Sequence, residues 1–302
     1  MGPRMTQVLL WGLAGLGGCG RAGFDAHVAA GDATPEVIDA GSPDAASGPF
    51  GDAVLVEEVM AIGLDDDPSL TGDLREMYFK SDRGGGADIW VVRRDSAEDD
   101  WGDPEPVDEL NSPQGDDTPE VSLDGLTITL ASDRDGAPGG IDLFVATRLA
   151  REDDWGLPQP IVDLNTNDAE YAAVMDAAGE HVVFNRDVPG NALDLFGAVR
   201  DGAGWTAPAQ LVNLSTAAYE ADSHLSDDAL ELYFTAELAD AEAHDIYRVE
   251  RAAPDGDFGT PERVVELASP QADEDPWVSP DGRVIYFSSE RSGNREIYRA
   301  ER

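Results

Sequence analysis

Beyond residue 50 the hydrophobic positions fall in short β-rich runs separated by Gly, Asp and Pro turns. No stretch there carries the i, i+3, i+4 stripe of an amphipathic helix. The runs recur. Aligned on the apolar residue that ends the strand after each Asp-Gly-like turn, Phe79, Leu130, Phe184, Phe234 and Phe287 are spaced by 51, 54, 50 and 53 residues. Ahead of each lies a turn ("SLTGDL", "EVSLDG", "VMDAAG", "HLSDDA", "WVSPDG"). Behind each come an acidic residue and two apolar ones, as in Asp88-Ile89-Trp90 and Glu296-Ile297-Tyr298. A period of this length predicts a repeat architecture of three strands per triplet.

A fourth element accompanies the triplets. It opens on an aromatic and carries apolar residues six and nine positions on: Trp101 with Val107 and Leu110, Trp155 with Ile161 and Leu164, Trp205 with Leu211 and Leu214, Phe258 with Val264 and Leu267. Pro104, Pro158, Pro208 and Pro261 each follow the aromatic by three, which suits an outermost strand, where the missing N–H disturbs no ladder. The last triplet has no such element after it. One stands instead at residues 50–59, with Phe50, Val56 and Val59 in the same register and Ala53 in the proline's place. Five outer strands and five triplets are therefore offset by one. The expected fold is all-β: a single β-propeller over residues 50–302, of five four-stranded blades, its ring closed by the N-terminal strand joining the C-terminal blade. Closure removes the strand edges that an open array exposes.

The segment "SPDGRVIYFSSERSGNREIYR" resembles the PD40 repeat, the WD40-like propeller repeat of TolB-like proteins. "SLDGLTITLASDRDGAPGGIDLF" resembles it also, while "FNRDVPGNALDLF" and "FTAELADAEAHDIY" lose its Ser-x-Arg element. The resemblance covers about 250 residues and implies the fold rather than an activity.

Ahead of the repeats, Arg4 precedes the apolar run "VLLWGLAGLGG" and then Cys19, the one cysteine of the chain. A basic start and a short apolar stretch read as a secretory signal. "LGGC" resembles the bacterial lipobox, which implies a signal peptide over 1–18 and a lipid on Cys19. Gly20 in place of an aspartate then favours the outer membrane. Residues 19–49 would be the lipidated cysteine and a flexible tether, rich in Ala, Gly, Asp, Pro and Ser. With 62 acidic residues against 20 Lys and Arg, a net charge of −42 argues against a nucleic-acid partner and against electrostatic binding to an anionic membrane.

One residue set invites a chemical reading. Fourteen positions before each anchor stand Asp65, Asp116, Glu170, Glu220 and Asp273, all acidic, in the segment entering the innermost strand. Five carboxylates ringing a channel mouth could hold Ca²⁺, which favours oxygen ligands. They could equally accept N–H bonds in their own turns, and the fact that they follow the repeat favours that structural reading. The Arg residues of the Ser-x-Arg element (Arg83, Arg134, Arg291) are expected to pair with the acids that start the third strands. Neither "DDD" at 65–67 nor "GDD" at 115–117 matches an EF-hand loop, and His27, His181, His224 and His244 occupy unrelated positions. With no catalytic motif present, the expected function is that of a monomeric, lipid-anchored envelope module without a cofactor, binding a protein or a polysaccharide. The alternative is an envelope glycoside hydrolase or lyase, which should show one asymmetric cluster at the channel mouth.

Overall fold

The computed structural model describes residues 48–189, 192–238 and 243–302. The lipobox, Cys19 and the tether through residue 47 lie outside them. The Asp-Gly-like turns fold by a shared local chemistry. In the last blade the Ser279 hydroxyl donates to Asp281 Oδ1 (2.7 Å) and accepts from the Val284 N–H (2.9 Å). Gly282 there sits at φ +69°, a left-handed conformation open to glycine at little cost. Leu74 and Ala229 hold the equivalent place in the first and fourth blades at φ +59° and +58°.

Each turn joins the two innermost strands of an antiparallel blade. The first blade runs Asp65–Leu70, Glu76–Ser81, Asp88–Arg93, Glu105–Pro106. The second runs Asp116–Val121, Thr127–Ser132, Asp142–Thr147, Gln159–Pro160. The third runs Glu170–Met175, His181–Asp187, Leu193–Asp201, Ala209–Gln210, with a short extra strand Gly204–Trp205. The fourth runs Glu220–Leu225, Glu231–Ala236, Asp245–Glu250, Glu262–Arg263. The fifth takes Asp273–Val278, Val284–Ser289 and Glu296–Glu301 from the C-terminus and Val54–Leu55 from the N-terminus. Val54 pairs with Arg299 and Leu55 with Tyr298. The ring thus closes as the offset predicts.

The outer strands are shorter than residues 50–59 suggest. Two residues pair, and a turn then drops the apolar pair into the core: Glu57–Val59 is a single 3₁₀ turn, with Val56 and Val59 buried. Those two contribute about 1.5–3 kcal/mol each. The same hydrogen bond ends every outer strand, donated by Val107, Ile161, Leu211, Val264 or Val56 to a third-strand carbonyl. Between blades the core is built of apolar clusters. One of them joins Val56, Val59, Trp277 and Tyr286 of the last blade to Leu70, Met77, Phe79 and Trp101 of the first.

Candidate channel-mouth site

Asp65, Asp116, Glu170, Glu220 and Asp273 are each the first residue of an innermost strand, and all five are fully buried. Each carboxylate accepts an N–H from four residues back: Ala61, Ser112, Thr166, Thr216 and Ser269 in turn, at 2.5–3.1 Å. Four of them also hold an arginine. Arg83 meets Asp65 at 2.6 Å, Arg291 meets Asp273 at 2.6 Å and Arg186 meets Glu170 at 2.8 Å, while Arg134 meets Asp116. The same guanidiniums reach the carbonyls of Val59, Leu267, Leu164 and Leu110. Glu220 has instead the Thr216 hydroxyl. Four of the acids therefore tie the incoming loop of their own blade to its second strand through an arginine, while Glu220 holds the incoming loop at Thr216.

The expected partnership of the Ser-x-Arg arginines is corrected here. They bind the acid that starts the innermost strand rather than the one that starts the third. The innermost strand lies beside the second strand in the ladder, with Asp65 opposite Ser81 and Asp116 opposite Ser132, so an arginine two residues on falls against it. In the third blade, which lacks the motif, Arg186 sits two residues after its anchor and reaches Glu170 all the same.

The side chains around the axis belong to the next residues along. In every innermost strand the ladder shifts register after its second residue, and the third residue adopts a positive φ: Asp67 +53°, Thr118 +44°, Ala172 +46°, Asp222 +46° and Asp275 +54°. Such β-bulges re-aim side chains. Neighbouring blades hold several of the bulges. Thr118 Oγ1 accepts the Ala172 N–H (3.0 Å), Thr235 Oγ1 the Asp275 N–H (3.1 Å) and Ser288 Oγ the Asp67 N–H (3.2 Å). Together with Glu120, Pro68 and Pro276, the bulge residues Asp67, Ala172, Asp222 and Asp275 enclose an axial cavity of about 10 Å³, room for about one water molecule.

Here five-fold similarity breaks down. The second and third positions supply Asp66 and Asp67 from the first blade, Asp117 from the second and Asp222 from the fourth. The fifth supplies Glu274 and Asp275; the third gives Tyr171 and Ala172. Asp66, Asp67 and Asp275 each bring an oxygen within 4.8 Å of the others. Counter-charges are few. Lys80 lies 3.3 Å from both Asp66 and Asp117, Arg295 pairs with Glu274 and stands 3.7 Å from Asp66, and His244 pairs with Glu274 while stacking on Tyr219 at 4.5 Å.

Burial, only partly countered by Lys80, pushes the Asp66 carboxyl up to about 7, with Asp275 and Asp117 adding to the rise. Burial raises Glu120 to about 8 against the Ser69 hydroxyl. Burial and then the repulsion of neighbouring carboxylates hold Asp67 and Asp222 well above their ordinary value and raise Asp275 as well. His244 is raised by its bond to Glu274. Such an array can share protons or meet external positive charge. Repeat counting could not single these residues out, since they differ from blade to blade; the acids that directly follow Asp65, Asp116 and Asp273 were the available signal.

No protein-family model matches the chain, and no curated protein does. Solved structures share its fold. An endo-arabinase from Bacteroides thetaiotaomicron aligns over 84% of this chain and 98% of its own at 14% identity and a TM-score of 0.57. The catalytic domain of an α-L-arabinofuranosidase from Coprinopsis cinerea aligns over 84% and 96% at 8% identity and 0.57. The putative TolB from Agrobacterium tumefaciens aligns over 80% and 79% at 15% identity and 0.50. These likenesses are likenesses of fold, and in fold the chain is a five-bladed β-propeller, similar to TolB and to the propellers of these two enzymes.

Proposed function

We propose that the chain is a binding module held at the outer membrane by a lipid on Cys19, presenting its acidic channel mouth to a basic surface of an envelope protein. The observation that carries this reading is the combination of blade-specific charge with an axial cavity of about 10 Å³. That volume leaves no room for a sugar ring at the axis itself, yet the partly exposed Asp67, Asp117 and Asp222 give the mouth an acidic face, with Lys80 and Arg295 paired to carboxylates within it. Electrostatic recognition of this kind is salt-sensitive. The test is capture of partners from solubilised envelope by the full chain. Capture should fall between 50 mM and 500 mM salt and weaken with Asp117→Asn; salt-independent capture, unchanged in the variant, contradicts the reading.

A second reading, a glycoside hydrolase or lyase, draws support from the same asymmetry. Close carboxylates with unequal environments are how glycosidases separate acid from base, and Asp66 at about 7 falls in the range of a general acid. Release of reducing ends from a polysaccharide panel, abolished by Asp66→Asn, would favour it.

A further inference from the structure

At three of the five contacts between neighbouring blades an aromatic pair recurs; between the second and third blades Thr129 holds the place before the anchor while Trp205 is kept. The aromatic that opens an outer strand faces the residue just before the anchor of the preceding blade. Trp155 meets Tyr78 edge-on at 5.9 Å with its Nε1–H 3.3 Å from the Tyr78 hydroxyl, and Trp101 meets Tyr286 edge-on at 6.4 Å. Phe50 and Tyr233 share a cluster at the closing interface. Between the third and fourth blades both places are filled by smaller residues: Val183 stands where Tyr78 and Tyr286 stand, and Phe258 where Trp101 and Trp155 stand. The third strand of that blade also carries Gly197, opposite Val183 in the ladder, at the place that Val91 and Val145 hold in the first two blades.

The missing volume is open. A groove of about 310 Å³ runs between these blades, with Val183, Gly197, Leu211, Val212 and Phe258 among its walls. That lies within the size of ordinary ligand sites, about 300–1,000 Å³. Its rim is acidic. Asp255 and Asp257 are exposed there, and His181 sits with Nδ1 2.8 Å from Asp176 and Nε2 3.4 Å from Asp255. Arg251, the cation of the wall, is engaged within the fold, its Nε donating to the Ala229 carbonyl and its guanidinium 4.4 Å over Phe258.

We infer that this groove is a docking site for an aromatic side chain of a basic polypeptide, a tryptophan or tyrosine flanked by lysine or arginine. An inserted ring supplies the apolar and edge contacts that Trp155 with Tyr78 and Trp101 with Tyr286 make at two of the other interfaces. The flanking cations meet Asp255 and Asp257, and the chain's net charge of −42 disfavours an anionic ligand. This inference rests on the reading of the chain as a binding module and names a second surface for it.

The test uses the full chain in detergent and the tripeptide amides Lys-Trp-Lys, Lys-Ala-Lys and Glu-Trp-Glu, followed by calorimetry. Lys-Trp-Lys should bind at least tenfold tighter than either of the others. Val183→Tyr with Phe258→Trp rebuilds the Tyr78–Trp155 pair and should abolish that binding while melting no lower than the parent chain. Asp255→Asn with Asp257→Asn, at the exposed rim, should weaken Lys-Trp-Lys severalfold without altering folding, which keeps the test decisive should the filled variant misfold. Equal binding of Glu-Trp-Glu, or unchanged binding in both variants, overturns the inference. Asp117→Asn should leave tripeptide binding unchanged. Loss of envelope capture in that variant with intact tripeptide binding, or the reverse, separates failure at the mouth from failure at the groove.

Discussion

Arg302, the last residue, holds its guanidinium 4.4 Å over the ring of Phe50, and its Nε donates to the Gly282 carbonyl at 2.6 Å. The same clamp occurs in every blade. Arg94, Arg148, Arg200 and Arg251 lie 3.8–4.4 Å over Trp101, Trp155, Trp205 and Phe258, and each donates to the carbonyl of the left-handed turn residue of its own blade. In four blades the clamp is local in sequence. In the fifth it joins the two ends of the propeller.

Arg302→Ala should therefore destabilise the whole ring. It removes a charged hydrogen bond, about 1.5–3 kcal/mol, and a cation–π contact of about 0.5–2 kcal/mol. A drop in the urea midpoint with the slope unchanged is the expected result. A chain beginning at Leu64, lacking Phe50, Val56 and Val59 as well, should fall further; equal melting of that truncation and the parent refutes the closure argument.

Asp116 and Glu220 hold the same place but should respond differently. Asp116→Asn weakens a charge pair with Arg134, whose partner carboxylate is fully buried, and a loss of about 3 kcal/mol is expected. Glu220→Gln removes no arginine pair among the described contacts and should cost less. Chemical denaturation of the two variants side by side decides this; equal losses would show that the arginine contributes little.

The axial acids set the direction of the pH response. Asp66 and Glu120 have folded-state values raised to about 7 and 8, so between pH 4 and 8 the folded chain binds more protons than the unfolded one. Stability from these groups is present at low pH and is lost as pH rises through 7–8. His244, raised by Glu274, acts in the same direction. His224, lowered by burial to about 4, opposes it between pH 4 and 6.5. The urea midpoint should be higher at pH 5.5 than at pH 8, and the gap should narrow in an Asp66→Asn variant. Millimolar Ca²⁺ at pH 8 should leave the midpoint unchanged, because Lys80 and Arg295 already stand among these carboxylates; a calcium-dependent rise would make the axis a cation site.

The anchor is tested by fractionation. Cys19→Ser should move the protein out of the outer-membrane fraction or leave it uncleaved. Unchanged location and mobility would contradict the lipoprotein reading.

The fold was legible because it repeats. Anchors such as Phe79 and Phe287 recur with their turns, and the surplus element at Phe50 showed where the ring must close. The clamps were harder to see, since Arg302 and Phe50 stand at opposite ends of the chain and Arg200 lies five rather than seven residues before its aromatic. The site was only partly legible. Asp65 and Asp116 were conspicuous because they obey the repeat, and for the same reason they serve each blade's own turn. Asp66, Asp117 and Asp275 converge because a bulge turns each innermost strand at its third residue, a backbone feature that the strand pattern does not announce.

The most direct test of the binding-module account is site-specific photo-cross-linking in cells. A benzophenone amino acid at position 117, on the channel mouth, is compared with one at the exposed position 265 in the turn after an outer strand. The account predicts a discrete cross-linked protein from position 117 and none from position 265. No cross-link at 117, together with polysaccharide cleavage that Asp66→Asn abolishes, would contradict it.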